Sequence, residues 1–274
     1  MTTLLEILTK GTSYLEKKGV DSPRLTMELM VAHVLEMQRM QLYLEFERPL
    51  AEEELTPLRE MLKRRGEREP LQHILGTVEF YGRPFISDHR ALIPRPETEE
   101  LVDYALQLPL PEAPRILDLC SGSGVIGLTL KAEIPEAEVT LADISDDALS
   151  LSRENSDKLG LEVTFVTSDI LSGVSGAFDL VICNPPYVAD NFPISPEVRH
   201  DPALALFSGN DGLDFIRKLI PEARQHLSPN GYIVLEVGYD QGEIVANILK
   251  EASYQEVRVE CDIDEIPRFP IAKA

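Results

Sequence analysis

Three glycines at one place in the chain set the tightest limit on its fold. In Asp118-Leu119-Cys120-Ser121-Gly122-Ser123-Gly124-Val125-Ile126-Gly127 they follow the apolar run Arg115–Leu119 and open a helical run from Val125 to Ile134. Gly122 and Gly124 let the backbone turn sharply and approach a ligand without a Cβ in the way, and Gly127 lets the helix pack closely on the strand. A second apolar run ends at Asp143, about 20 residues on, where a carboxylate can accept both hydroxyls of a ribose. An N-cap is the plainer role for Asp143, but Ser145 and Asp146 are better placed for capping. The loop and the acid together predict a bound nucleoside, and NAD and S-adenosylmethionine fit them equally.

The sequence around this loop predicts an α/β fold with a doubly wound, mostly parallel seven-stranded sheet. Strands are expected at Arg115–Leu119, Val139–Asp143, Val163–Val166, Leu180–Cys183 and Tyr232–Val237, with Val257–Ile263 and Phe269–Ala272 as an antiparallel end pair. Helices fall between them, at Asp146–Leu159, Leu213–His226 and Gln241–Glu251. Before the sheet, apolar residues recur at three- and four-residue steps: Leu4, Leu5 and Leu8; Leu25, Leu29, Val31, Ala32 and Leu35; Leu55, Leu58, Met61 and Leu62. That spacing predicts a small bundle of four or five helices, with Asp21-Ser22-Pro23 as a cap and first-turn proline and with Pro49 and Pro57 as punctuation. Val78–Tyr81 and Arg83–Ile86 read as a β-hairpin around Gly82. The expected division is a helical domain over 1–69, a hairpin linker over 70–96 and a cofactor-binding catalytic domain over 97–274.

Charge narrows the partners. The chain carries 26 Lys and Arg against 47 Asp and Glu, a net of −21. Residues 1–80 hold 11 and 14 of these, a net of −3, which leaves −18 for the remainder. Such a surface repels phosphate, so direct nucleic-acid binding is not expected. No apolar run reaches the roughly 18 residues of a membrane span, and Met1–Leu5 has no basic leader, so a cytoplasmic protein is expected. Cys120, Cys183 and Cys261 lack metal-ligand spacing and read as buried thiols, and no metal is expected.

The reaction is suggested by Asn184-Pro185-Pro186-Tyr187, which ends the apolar run Phe178–Cys183. Two prolines have fixed φ and no N–H, so they form a stiff corner that cannot extend the sheet. The Asn184 side-chain oxygen and a neighbouring main-chain carbonyl can accept both hydrogens of one NH₂ group, and Tyr187 offers a flat face to a planar amide. An amide nitrogen is a poor nucleophile because its lone pair is delocalised. Acceptors that hold its N–H bonds favour a pyramidal nitrogen aligned with a sulfonium methyl. Asp169, just past the third strand, stands where it could accept from an adenine amino group.

With the loop and both acids, this corner resembles the class I S-adenosylmethionine-dependent methyltransferases that act on planar NH₂ groups. The likeness becomes closer through Pro70–Gly76, Leu92–Glu99, Glu197-Val198-Arg199 and Gly209–Asp214, which occur in order along the chain. The set resembles the PrmC/HemK family, the protein-(glutamine-N5) methyltransferases of peptide-chain release factors, over essentially the whole chain. The resemblance implies methylation of the glutamine in a Gly-Gly-Gln loop, with S-adenosyl-L-methionine as donor, S-adenosyl-L-homocysteine as product, and the helical domain gripping the release factor. It implies that Cys120, Ser121, Gly122, Ser123, Gly124, Asp143, Asp169 and Ile170 bind the cofactor. Asn184 would touch cofactor and substrate, with Pro185, Pro186 and Tyr187 lining the glutamine pocket, and the catalytic set would be Asn184, Pro185 and Tyr187. Ile93–Thr98 is expected to close over the site, Arg95 and Glu97 either pairing or gating it. Glu197–His200 either orients the pocket or stabilises a long loop, with His200 structural. Cys120 replaces a glycine common in relatives, and Ile170 an aromatic found in some. A ribosomal-protein glutamine methyltransferase would share nearly all of this chemistry. An N6-adenine DNA methyltransferase fits the charge less well, and a non-catalytic nucleoside sensor leaves the proline corner without a purpose.

Overall fold

The computed structural model describes residues 2–274. One compact unit holds the chain up to Thr77 together with Ile194–His200; a second holds Val78–Pro193 and Asp201–Ala274. Residues 70–77 of the expected linker therefore belong to the first unit and 78–96 to the second.

The first unit contains α1 (Leu4–Lys17), α2 (Pro23–Val34), a 3₁₀ turn (Arg39–Leu44), α3 (Glu52–Gly66) and α4 (Leu71–Leu75). Thr3 caps α1 by accepting the Glu6 N–H, and Leu4, Leu8 and Leu15 are fully buried. On α2, Val31 and Ala32 enter the core as expected, joined by Met27 and Met30, while Leu25 is exposed. Glu28 is also buried on this face, because Arg24 Nε at 2.6 Å and the Tyr43 hydroxyl at 2.8 Å donate to its carboxylate. Ser22, the expected cap, has a left-handed φ of +46° and its side chain caps nothing. Pro57 does not interrupt α3, since Leu55 and Leu58 on either side of it are held in the core. Segment 194–200 is tied in by Glu197, whose carboxylate receives Arg65 and Arg68 at 2.6–3.2 Å. Burial raises the Glu197 pKa, but the two guanidinium groups outweigh it and hold the carboxyl below its usual range.

The second unit begins at Val78, within a hairpin of β1 (Thr77–Phe80) and β2 (Arg83–Ile86) that turns at Tyr81-Gly82. The sheet follows: α5 (Pro96–Leu106), β3 (Arg115–Leu119), α6 (Val125–Glu133), β4 (Glu138–Asp143), α7 (Asp146–Leu159), β5 (Thr164–Thr167), β6 (Phe178–Cys183), α8 (Asp214–His226), β7 (Leu227–Leu235), α9 (Gly242–Glu251), β8 (Gln255–Cys261) and β9 (Pro267–Lys273). The order is β5-β4-β3-β6-β7-β9-β8, parallel except for β9, which runs antiparallel to both of its neighbours. This is the expected seven-stranded doubly wound sheet. Its order reverses at β3 and β6, whose carboxyl ends are the usual place for a ligand.

Alternation along each strand builds two cores. Leu119, Val181, Cys183 and Leu235 pack with Ile216 and Leu219 of α8 and Leu249 of α9. Leu180, Ile182 and Val234 point the other way, to Leu101 of α5, Ile126 of α6 and Phe80 and Phe85 of the hairpin. Of the three cysteines expected to be buried, Cys183 is, Cys120 is half-buried in the glycine loop, and Cys261 is exposed because β8 is an edge strand.

Gly127 lies in α6 where it crosses β3 and β4, and a Cβ there would collide with Leu141 Cδ2 and crowd Asp118. Gly127→Ala is therefore expected to destabilise the second unit by about 1–3 kcal/mol, read as a lower urea midpoint at unchanged slope.

Candidate active site at the carboxyl ends of the central strands

Val166, Ala142, Leu119, Cys183 and Leu235 are register partners across β5, β4, β3, β6 and β7. One residue further along each strand stand Thr167, Asp143, Cys120, Asn184 and Glu236. The sheet therefore delivers Asp143, the start of the glycine loop, the proline corner and one further carboxylate to a single edge.

Cys120, Gly122 and Gly124 all have left-handed φ, +56°, +54° and +81°. The loop's shape is secured by the Ser121 N–H on Ala142 O and by buried Asn155 of α7, whose amide donates to Ser123 O and to Ile86 O and accepts the Ile86 N–H. Asp143 accepts the Gly122 N–H on one oxygen and the Ser145 N–H on the other, both at 2.9 Å, so the acid and the loop hold each other in place. Ser145, not Asp143, caps α7. Burial raises the pKa of Asp143, and these main-chain donors oppose the rise.

A cleft of about 200 Å³ opens along this edge. Of the residues expected in the site, it brings together Cys120, Ser121, Gly122, Ser123, Asp143, Asp169, Ile170, Asn184 and Pro186. Three expected residues do not line it. Gly124 is the N-cap of α6, and its α-carbon faces Ser152, Leu128 and Leu141. Pro185 is buried. The Tyr187 ring packs against the α8 core, and its hydroxyl points to Glu236 rather than offering a flat face to the cleft. Ile170 also has a left-handed φ, +50°, which is costly for a β-branched side chain.

The strap before α5 contributes Leu92, Pro94 and Arg95 to the cleft wall, and α5 contributes Thr98. Arg95 pairs with buried Asp201 at 2.9 Å and not with Glu97, and Asp201 also accepts the Ile93 N–H. Glu197 lies in the first unit, and His200 is exposed.

The corner itself is held by Glu236 and Gln241, which sequence reasoning missed, and by Thr98 of the segment expected to close over the site. Glu236 and Thr98 are buried, and the Thr98 hydroxyl donates to Glu236 Oε2 at 2.8 Å. Asn184 Nδ2 donates to Thr98 Oγ1 at 3.3 Å, and the Tyr187 hydroxyl reaches Glu236 Oε1 at 3.4 Å. Asn184 Oδ1 is buried and accepts no hydrogen bond from the protein. Gln241 donates from its side chain to Tyr187 O and Asp211 O, bracing the corner against the Gly209–Asp214 segment. A carboxylate ending the apolar run Ile233–Leu235 was the available signal for Glu236.

The first part of the chain, residues 6–76, matches the model of the PrmC N-terminal domain, and residues 101–200 match the methyltransferase small domain. A release factor glutamine methyltransferase of Deinococcus radiodurans is 44% identical over 273 residues, covering 98% of each chain. The chain belongs to the release factor glutamine methyltransferase family. A second member, from Geobacter sulfurreducens, is 38% identical over 92% of this chain and 90% of its own. A methyltransferase crystal structure from Pyrococcus furiosus shares the fold, with a TM-score of 0.55 at 18% identity over 71% of this chain and 90% of that one. The family and the fold make this chain an S-adenosylmethionine-dependent methyltransferase. Among the described residues no helix is long and apolar enough to cross a membrane.

Asp118 gives the glycine loop a pH signature. It is fully buried, with Oδ2 accepting the Gly127 N–H at 2.8 Å and Oδ1 unpartnered, and burial, with Asp143 nearby, pushes its pKa up to about 8. This folded value lies above the unfolded value of about 3.9, so the folded chain keeps a proton that the unfolded chain releases. The resulting stabilisation is complete below about pH 4 and is lost as pH rises through about 8. Asp118→Asn cannot ionise, so its unfolding free energy relative to the unsubstituted chain should climb across that window in urea titrations.

Proposed function

We propose that this protein transfers a methyl group from S-adenosyl-L-methionine to the side-chain amide nitrogen, N5, of the glutamine in the Gly-Gly-Gln loop of peptide-chain release factors. The observation that carries the reading is the buried, unpartnered Asn184 Oδ1 at the cleft beside the glycine loop. A buried acceptor without a donor is costly, and a substrate NH₂ group satisfies it.

The residues of the cleft fit the methyl donor. A Cβ at Gly122 would meet only Ala91 Cβ, at 3.7 Å, and Cys120 O, at 4.0 Å; Asp143 retains acceptor capacity toward a ribose, and Asp169 and Ile170 line the adenine end. When bound, S-adenosyl-L-methionine supplies an electrophilic sulfonium methyl group and is left as S-adenosyl-L-homocysteine. Asn184 Oδ1 and a main-chain carbonyl of the Pro185-Pro186 corner hold the two amide hydrogens. This draws the nitrogen toward pyramidal geometry and stabilises the positive charge it gains. No base is needed beforehand, because the alkylated nitrogen is strongly acidic and gives up its proton afterwards. In this reading residues 1–69 dock the protein substrate, 70–96 link, and 97–274 carry the chemistry. The net charge of −21 favours a protein partner over a nucleic acid.

Incubation with labelled methyl donor and, separately, release factor, ribosomal protein and duplex DNA tests the reading. Label should appear in the Gly-Gly-Gln peptide by mass mapping; label only in ribosomal protein or DNA overturns it. Asn184→Ala is expected to lower kcat about 100-fold or more with the far-UV circular dichroism unchanged.

A further inference from the structure

We propose that Glu236 is a positioning residue: through the Thr98 hydroxyl it holds the Asn184 carboxamide with Oδ1 toward the cleft, so that the site receives an NH₂ group. The inference rests on the methyl-transfer reading above and names what enforces it. A carboxamide has two ends of nearly equal shape, one that accepts and one that donates. Nothing in Asn184 itself chooses between them, and the wrong end would present N–H to N–H.

The choice is made by counting protons. An ionised Glu236 can only accept, so the Thr98 hydroxyl, 2.8 Å from Oε2, spends its one hydrogen there. Thr98 Oγ1 then has only lone pairs to offer Asn184, so the nitrogen faces it, at 3.3 Å, and Oδ1 is left to the substrate. The same carboxylate receives the Tyr187 hydroxyl on Oε1, and the Glu236 N–H donates to Cys183 O at 3.0 Å. One side chain thus secures both ends of the Asn-Pro-Pro-Tyr corner from a strand 49 residues beyond Tyr187.

Glu236 is faced by Glu97 and Thr98 of α5, by Asn184 and Tyr187 of the corner, and by Arg268 of β9, which is itself paired with Asp262 at 2.6 Å. Burial raises its pKa to about 7, with Glu97 adding to the rise while Thr98, Arg268 and Asn184 oppose it. A protonated Glu236 donates instead of accepting, which frees the Thr98 hydrogen to turn toward Asn184 and lets the amide reverse. Turnover therefore rises with pH through this range.

The test compares the full chain with Glu236→Gln, Thr98→Val and Thr98→Ser on a release factor. Glu236→Gln and Thr98→Val should lower kcat about 10- to 100-fold, with the KM for the methyl donor changed less than about threefold; Thr98→Ser should keep most of the activity. The ascending limb of kcat near pH 7 should disappear in Glu236→Gln. The side-chain NH₂ cross-peaks of Asn184, assigned by their loss in Asn184→Ala, should titrate over the same range in the unsubstituted chain and not in Glu236→Gln. Wild-type kcat and pH profile in Glu236→Gln, or equal activity of Thr98→Val and Thr98→Ser, overturns the proposal. If the unsubstituted chain methylated no glutamine, the functional reading would fail, while the NH₂ cross-peaks would still decide the relay.

Discussion

The site depends on the parallel register of five neighbouring strands. Because Val166, Ala142, Leu119, Cys183 and Leu235 are aligned, the residues that follow them meet at one edge. Side chains alternate with a period of two, so a slip of one residue in β6 would turn Asn184 toward the α8 core and away from Thr98. Two apolar cores prevent that slip. Leu180 and Ile182 suit only the α5 and α6 side, and Val181 and Cys183 only the other. The chemistry is positioned by hydrophobic packing that touches no substrate.

At this edge the chain buries carboxylates that solvent would hold more cheaply. Asp118, Asp143 and Glu236 each have a raised pKa with burial as the leading cause, and each is countered by directed donors rather than by a contacting cation. Main-chain N–H groups serve Asp118 and Asp143; hydroxyls serve Glu236. A hydrogen bond specifies direction where an ion pair specifies mainly distance. Direction is what a site that must present one end of a carboxamide requires. Ion pairs stand beside the edge, Arg95 with Asp201 and Arg268 with Asp262.

Much of this was legible in the sequence because it is local. The glycine loop, the acid at the end of β4 and the proline corner each lie within a few residues, and the apolar runs carry the strand period. What escaped was long-range. Thr98 and Glu236 are 138 residues apart, and Asn155 clasps the hairpin from 69 residues away. No periodicity encodes such pairs. Glu28 of α2 is a similar case, buried because Tyr43, 15 residues on, supplies a donor. Tyr187 was assigned a surface for stacking because its ring is flat, whereas its hydroxyl, aimed at Glu236, fixes where it lies.

Cys120 and Ile170 bear on evolvability. Both hold left-handed backbone angles that a glycine would adopt without penalty, and both line the cleft. Each side chain costs folding about 1–2 kcal/mol. In exchange, it narrows the range of shapes the loop can sample before a ligand arrives. Replacement by glycine would relieve that tension and leave a looser cradle, so these are positions where thermal robustness and catalytic readiness cannot both be raised by one substitution.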